Sequence, residues 1–254
     1  MKIGCMNDPT LPLTKELEWI SSHSFDFVDL TLEPPGAYGV NLREVKRKLK
    51  DTGLEAVGHT NPFLPAIHPL ESIRKTCLKE FERCVKVFRR LNITLMNIHP
   101  YDYGLHMTLE EKVKANVELL NHVHDMCVES NITLMLENGK PLDDPEVFQS
   151  VLDRVPGVMV HLDLGHANLA SKNLAEAFFK RFKDRIIHVH ASDNKGDRDD
   201  HLPLGCGNID WGGMVRLMKS HGYDGTITLE IFSKERDYVL TSRRILERLW
   251  RGTV

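Results

Sequence analysis

Residues 157–190 read GVMVHLDLGHANLASKNLAEAFFKRFKDRIIHVH, and this stretch contains the unit from which the whole chain is built. Gly157–Asp163 and Arg185–His190 are short runs dominated by Val, Ile, Leu and Met, the composition of parallel strands buried on both faces. An amphipathic helical stretch separates them. Outward in both directions the alternation repeats. Lys2–Cys5, Phe25–Leu30, Leu54–His59, Ile93–His99 and Ile132–Glu137 precede it and Gly225–Ile231 follows, eight runs in all.

The connecting stretches carry helix signals. Ile73, Cys77, Phe81, Cys84, Phe88 and Leu91 recur at steps of three and four and form one apolar stripe. Thr108-Leu-Glu-Glu111 is a capping box. Asp144-Pro145 offers an N-cap followed by proline at the first helical position. Eight β-α units in 254 residues match a closed (β/α)8 barrel of the α/β class in count and length. An open doubly wound sheet is the alternative, but no GxGxxG follows the first run. Without a linker, low-complexity tract or shift in composition, residues 1–254 read as one barrel domain.

With 41% hydrophobic residues there is ample material for a core, and the net charge of −3 excludes a strongly basic nucleic-acid binder. Arg43, Lys46, Arg47, Lys48 and Lys50 cluster on the second helix, where a solvated face is the simplest reading. The opening MKIGCMNDPT lacks the pattern of a signal peptide, and no apolar run is long enough to span a membrane. The five cysteines lack CxxC spacing. They read as reduced, packed thiols of a cytoplasmic protein, Cys206 included.

In such a barrel the reactive groups gather at the C-terminal ends of the strands. Those ends hold His59, His99, Glu137, Asp163, His190 and Glu230, with His166 just after the sixth run and Asp199 and His201 after the seventh. A ring of buried carboxylates without a cation would carry a large desolvation and repulsion cost. Mixed imidazole and carboxylate groups are what borderline divalent metals take, so the set predicts a metal site. In His188-Val-His190 the two histidines share a parity, and His188 sits about 7 Å deeper, two residues of strand rise below. His161 stands in the same relation to Asp163. Both are expected to support the site from inside. His23, His68, His106, His122, His124 and His221 fall on helices or outer loops. The polar loop from His190 to Trp211 contains Gly205 and Gly207, whose amides would suit an anion.

These motifs resemble the xylose-isomerase-like barrel superfamily: HTNPF at His59, NIHP at His99, MLENG at Glu137, HLDLGH at Asp163 and His166, HVHASDN at His190, DDHLPLGCGNIDW, and TLEIF at Glu230. The superfamily contains sugar and sugar-phosphate isomerases and epimerases, and also endonuclease IV, which cuts DNA at abasic sites. The resemblance to the first branch implies one divalent metal (Mn, Mg, Co or Zn) held by Glu137, Asp163, His190 and Glu230. Glu137 and Glu230 would also transfer protons, and His166 would contact the substrate. Under this reading His59 and His99 also face the substrate, and Lys195 and Arg198 are available to a phosphate. The second branch implies three zinc ions, with His59, His99, His166, Asp199 and His201 as additional ligands, and nucleic acid as partner. A metal-dependent dehydratase acting on a polyol or keto acid is a third chemistry open to the same site. The sugar branch is favoured by the HLPLGCGNIDW loop, by the chain's length and by EPPGAYGVN after the second run, which lacks an arginine to enter an abasic site. Phe63-Leu64 after His59 counts the other way, as a wedge between bases. The expected partner is a small sugar or sugar phosphate, with no membrane; the resemblance also allows a homo-oligomer.

Overall fold

The structure, a computed structural model, describes residues 1–104 and 106–252. Eight parallel strands pair in sequence order and close: β1 (Lys2–Met6), β2 (Phe27–Thr31), β3 (Glu55–His59), β4 (Leu95–Ile98), β5 (Thr133–Glu137), β6 (Met159–Asp163), β7 (Ile186–Ala191) and β8 (Thr226–Leu229). The last strand returns to the first with Ile3 opposite Ile227. The fold is therefore a (β/α)8 barrel, and each expected run overlaps its strand, β1, β2 and β7 each extending one residue past the run. The open-sheet alternative is excluded by the closure.

The helices form where the sequence signals place them. Helix α3 (Glu71–Leu91) buries Cys77, Phe81, Cys84, Phe88 and Leu91 against the barrel, with Ile73 half-buried. Helix α4 (Leu109–Glu129) starts with the Thr108–Glu111 capping box, both reciprocal bonds being present. Helix α5 (Pro145–Arg154) is capped by the Asp144 side chain, which accepts from the amides of Glu146 and Val147. On α2 (Leu42–Thr52) only Val45 and Leu49 are buried, so its basic residues form the outer face. Four of the cysteines are buried, but Cys206 is exposed. It lies on an irregular loop tip that no helix covers, which corrects the expectation of a packed thiol.

Inside the ring, alternate residues of each strand face inward. The lowest layer is apolar: Phe27, Val57 and Met135 pack together with Leu95 and Met159. Two residues further along each strand the chemistry changes. Asp29, His59, Asn97, Glu137 and His161 are all buried. The apolar floor keeps water out from below, so these polar groups answer only to one another and to whatever enters from the mouth. Among the described residues, no helix is long and apolar enough to cross a membrane.

Candidate active site

Register sets the heights of the reactive groups. His161 pairs with Glu137 on one side and His188 on the other, while Asp163 pairs with His190 one pleat nearer the mouth, and His190 with Thr228. The heights follow strand parity: His161 and His188 form the deeper level, and Asp163 and His190 the upper one. Asp163 has two duties. As the last residue of β6 it is also the N-cap of α6 (Leu164–Ala170), its Oδ1 accepting from the His166 amide at 2.6 Å. Asn138 clamps its backbone, donating to the Asp163 carbonyl and accepting from its amide. The Oδ2 atom is left buried and without a hydrogen-bond partner.

Glu137 is surrounded by nitrogen. Its Oε2 lies 3.2 Å from each of Asn97 Nδ2, His99 Nε2 and His161 Nδ1, and its Oε1 lies 3.0 Å from His166 Nδ1. Burial alone would raise its pKa, but the imidazoles of His99 and His161 hold it well below the ordinary carboxylate value. Glu230, just past β8, places Oε2 3.0 Å from His190 Nδ1. Against burial, His190 and His201 bring Glu230 down to about 2. His190 is held well above the ordinary histidine range, because the Glu230 and Asp29 carboxylates outweigh the burial of its ring. Asp163 moves the other way. Burial, helped by the charges of Glu137 and Glu230 and opposed by His166, pushes it up to about 6. One of these carboxyl groups is thus under-compensated, as expected of a cluster built around positive charge.

The donor set fits a cation. Glu137, Asp163 and His190 each offer a ligand atom, all within 4.8 Å of one another, and the orphaned Asp163 Oδ2 is one of the oxygens that needs a partner. These three residues form a candidate site for a divalent metal, with two carboxylates and an imidazole as donors. His166 Nε2 and His201 Nε2 both lie 3.1 Å from Asp199 Oδ2. Asp199 is lowered by its bonds to the two histidines, burial opposing, and His201 is raised to about 9, Asp199 and Glu230 outweighing burial. A cavity of about 390 Å³ opens over this side, lined by His99, Asn138, His166, Arg198 and Asp199.

With this geometry in place, comparison with known proteins is informative. Residues 17–249 match the family model described as xylose isomerase-like TIM barrel. The chain belongs to that family. An uncharacterized protein of Methanocaldococcus jannaschii is 30% identical over 249 residues, covering 91% of this chain and 83% of its own. A solved structure of a D-tagatose 3-epimerase-like protein superimposes with a TM-score of 0.87 at 28% identity, over 99% of this chain and 98% of that one. A probable endonuclease 4 of Thermotoga petrophila is 25% identical over 195 residues, 65% of each chain.

In this xylose isomerase-like barrel the loop after β7 is tied by a residue that strand-end position does not single out. The fully buried Asp193 carboxylate accepts from the amides of Gly205 (2.8 Å), Asn194 (3.0 Å) and Ile209 (3.3 Å) and from Trp211 Nε1 (3.0 Å). The anion that the Gly205 amide serves is therefore the chain's own Asp193. Gly207 is required by closeness: a Cβ there would lie 2.2 Å from the Asn194 carbonyl oxygen. Lys195 is exposed, and Arg198 is 78% exposed and paired with Asp200, so neither is fixed toward the carboxylates. His59 is buried with its Nδ1 turned to Asp29, 3.5 Å away, and its ring stacked on His190. His99 instead faces Glu137. Asp29 itself, in the run FVDLT, lies below the end of its strand and so escapes a search restricted to strand ends. Its sequence signal is partial: the run FDFVDL carries two carboxylates, and of these the structure buries Asp29 and leaves Asp26 exposed.

Proposed function

We propose that this xylose isomerase-like barrel is a divalent-metal-dependent sugar or sugar-phosphate epimerase or isomerase that moves a proton at the carbon next to a carbonyl. The observation that carries this reading is the placement of Glu137 and Glu230. They sit three strands apart round the ring, with Asp163 and His190 on the two strands between them. The near-complete superposition on a D-tagatose 3-epimerase-like protein supports it.

Glu137, Asp163, His190 and Glu230 would hold the metal. When bound, such a cation acts as a Lewis acid toward a carbonyl and its neighbouring hydroxyl. The chain supplies the proton transfers. Both glutamates are ionised at neutral pH, their pKa values being lowered, so each can accept a proton from carbon on its own side of the sugar. One takes it, and the other returns a proton that it has first picked up from solvent, the first then releasing its own to solvent; removal from one face and return to the other is what inversion at a carbon requires. His166, with Nδ1 on Glu137 and Nε2 on Asp199 at the cavity wall, would hold a substrate oxygen by exchanging its Asp199 contact for it. His99 and His59 flank it, and Arg198 and Lys195 meet a phosphate where one is present. The barrel works as one domain in the cytoplasm, where its buried thiols stay reduced, on a small sugar partner.

A second reading has its own observation. His99 beside Glu137, and His166 and His201 sharing Asp199, are pairs that further zinc ions would complete, as in a phosphodiesterase. One experiment separates the two. The metal-loaded protein is incubated in heavy water with ketoses, aldoses and their phosphates. At least one sugar should gain deuterium next to its carbonyl, and Glu137→Gln and Glu230→Gln should each slow that exchange at least ~10²-fold. Cleavage of a duplex at an abasic site, with no exchange into any sugar, would replace the first reading with the second.

A further inference from the structure

We infer that Asp29 on β2 is the positioning residue for His190 on β7: it holds the proton on Nε2 and so presents Nδ1 to the metal. This rests on the reading of His190 as a ligand.

Asp29 is 1% exposed and lies at the inner level of the barrel. Its Oδ2 receives His190 Nε2 at 2.7 Å, Thr228 Oγ at 2.8 Å and His188 Nε2 at 3.3 Å. A neutral imidazole has one N–H and one lone pair, and an ionised carboxylate only accepts. Nε2 of His190 therefore carries the hydrogen. The opposite nitrogen, Nδ1, faces Glu230 Oε2, 3.0 Å away, and the orphaned Asp163 Oδ2, 3.8 Å away. Two carboxylate oxygens facing one nitrogen leave a place that a proton on Nδ1 fills in the metal-free protein and that a divalent cation, displacing that proton, would take over. The tautomer, and with it the side of the ring that faces the mouth, is set from across the barrel.

The rest of the contact fits a positioning role through Oδ2, while Oδ1 is left without a hydrogen bond, 3.5 Å from His59 Nδ1. Asp29 Oδ2 already takes three donors. His188, whose Nδ1 meets Thr226 Oγ at 2.7 Å, is held beside it and ties Oδ2 from the deeper level. His59, stacked on the His190 ring with centroids 5.5 Å apart, limits rotation of the imidazole. A hydrogen-bonded carboxylate behind a ligand imidazole orients the ring and raises its basicity.

The test uses the full-length chain with zinc as the probe. In a histidine-labelled sample, long-range proton–nitrogen spectra of the zinc-loaded protein should show His190 protonated at Nε2 with zinc on Nδ1, the signal being assigned by its loss in His190→Gln. By chelator competition, Asp29→Ala should bind zinc roughly 10–100-fold more weakly. Asp29→Asn, which keeps one oxygen as acceptor, should recover part of that loss, and the same spectra should show more than one His190 tautomer in Asp29→Ala. Zinc on Nε2 of the natural protein would overturn the inference, as would an Asp29→Ala affinity within about threefold of the natural chain. If Asp29→Ala does not fold, the spectrum of the unaltered protein still decides. Absence of any zinc binding would remove the metal reading and the inference with it, whereas zinc bound through Nε2 removes the inference alone.

Discussion

Replacing Asp163 by Asn should make the metal-free protein more stable while destroying its metal site. The substitution is nearly isosteric. Oδ1 of the new side chain can still accept from the His166 amide, so the N-cap of α6 survives, Asn being as good a cap as Asp. What changes is the atom at Oδ2, a buried oxygen without a partner. The folded protein holds the Asp163 carboxyl at about 6, burial being the chief cause, against an unfolded value of about 3.9. The sign follows from proton binding. Between those values the folded state binds more protons than the unfolded one, so stability falls as pH rises, and above pH 6 the full cost is present. At about 1.36 kcal/mol per pH unit the cost near neutrality is about 3 kcal/mol. A neutral amide removes it.

For a chain of this size about 3 kcal/mol corresponds to a rise in Tm of roughly 6–12 °C. Calorimetry at pH 7.5 with chelator present should show that rise, and at pH 4 the natural protein and the variant should melt close together. In titrations with manganese or zinc, the order should reverse. The natural protein gains stability with metal, while the variant loses affinity by more than the roughly 10–100-fold that a supporting partner is worth. A variant that keeps its metal affinity, or that melts lower than the natural chain without metal at pH 7.5, would refute the account of Asp163 as a destabilising carboxylate kept for a cation.

Asp193→Ala leaves four donors without their acceptor; a loss of about 3–5 kcal/mol is expected in denaturant unfolding, together with faster proteolysis within residues 193–211. His201 is raised to about 9, so its pairing with Asp199 stabilises the metal-free protein fully below about pH 6.5 and is lost as pH rises through 9. The metal-free Tm should fall over that interval, and Asp199→Asn should flatten the fall.

The fold was legible because it is written in repetition. Each of the eight runs carries enough apolar and β-branched side chains to be buried on both faces, and some intervening stretches carry a start signal, Thr108 with Glu111 and Asp144 before Pro145, whereas α3 starts without a side-chain cap and shows itself by its apolar stripe. Boundaries were less legible. The run ending in His99 overshoots β4, which stops at Ile98, and Glu230 lies just beyond β8. Strand ends in a barrel are set by where neighbouring strands stop pairing, and that information is not local.

The site divides along the same line. Glu137, Asp163, His190 and Glu230 stand out in the sequence because strand ends point to the mouth, whichever residues stand opposite, and the structure brings their side chains together. The groups that hold them in place could not be ranked this way, since their importance lies in contacts across the ring. Asp29 and His190 are 161 residues apart in sequence and sit on strands that do not pair, yet their side chains meet at 2.7 Å. Asp193 was visible as one acidic residue in a loop that contains several, and only closure of that loop onto its carboxylate distinguishes it from Asp197 or Asp200. The useful sequence signal is burial against expectation: a single carboxylate inside an apolar run, as in FVDLT, has to be hydrogen-bonded or paired. Applied to this chain, that rule flags the run FDFVDL but does not choose between its Asp26 and Asp29; the structure does, leaving Asp26 exposed and Asp29 buried. The rule also leaves the partner unnamed, because the partner is chosen by the curvature and shear of the closed sheet.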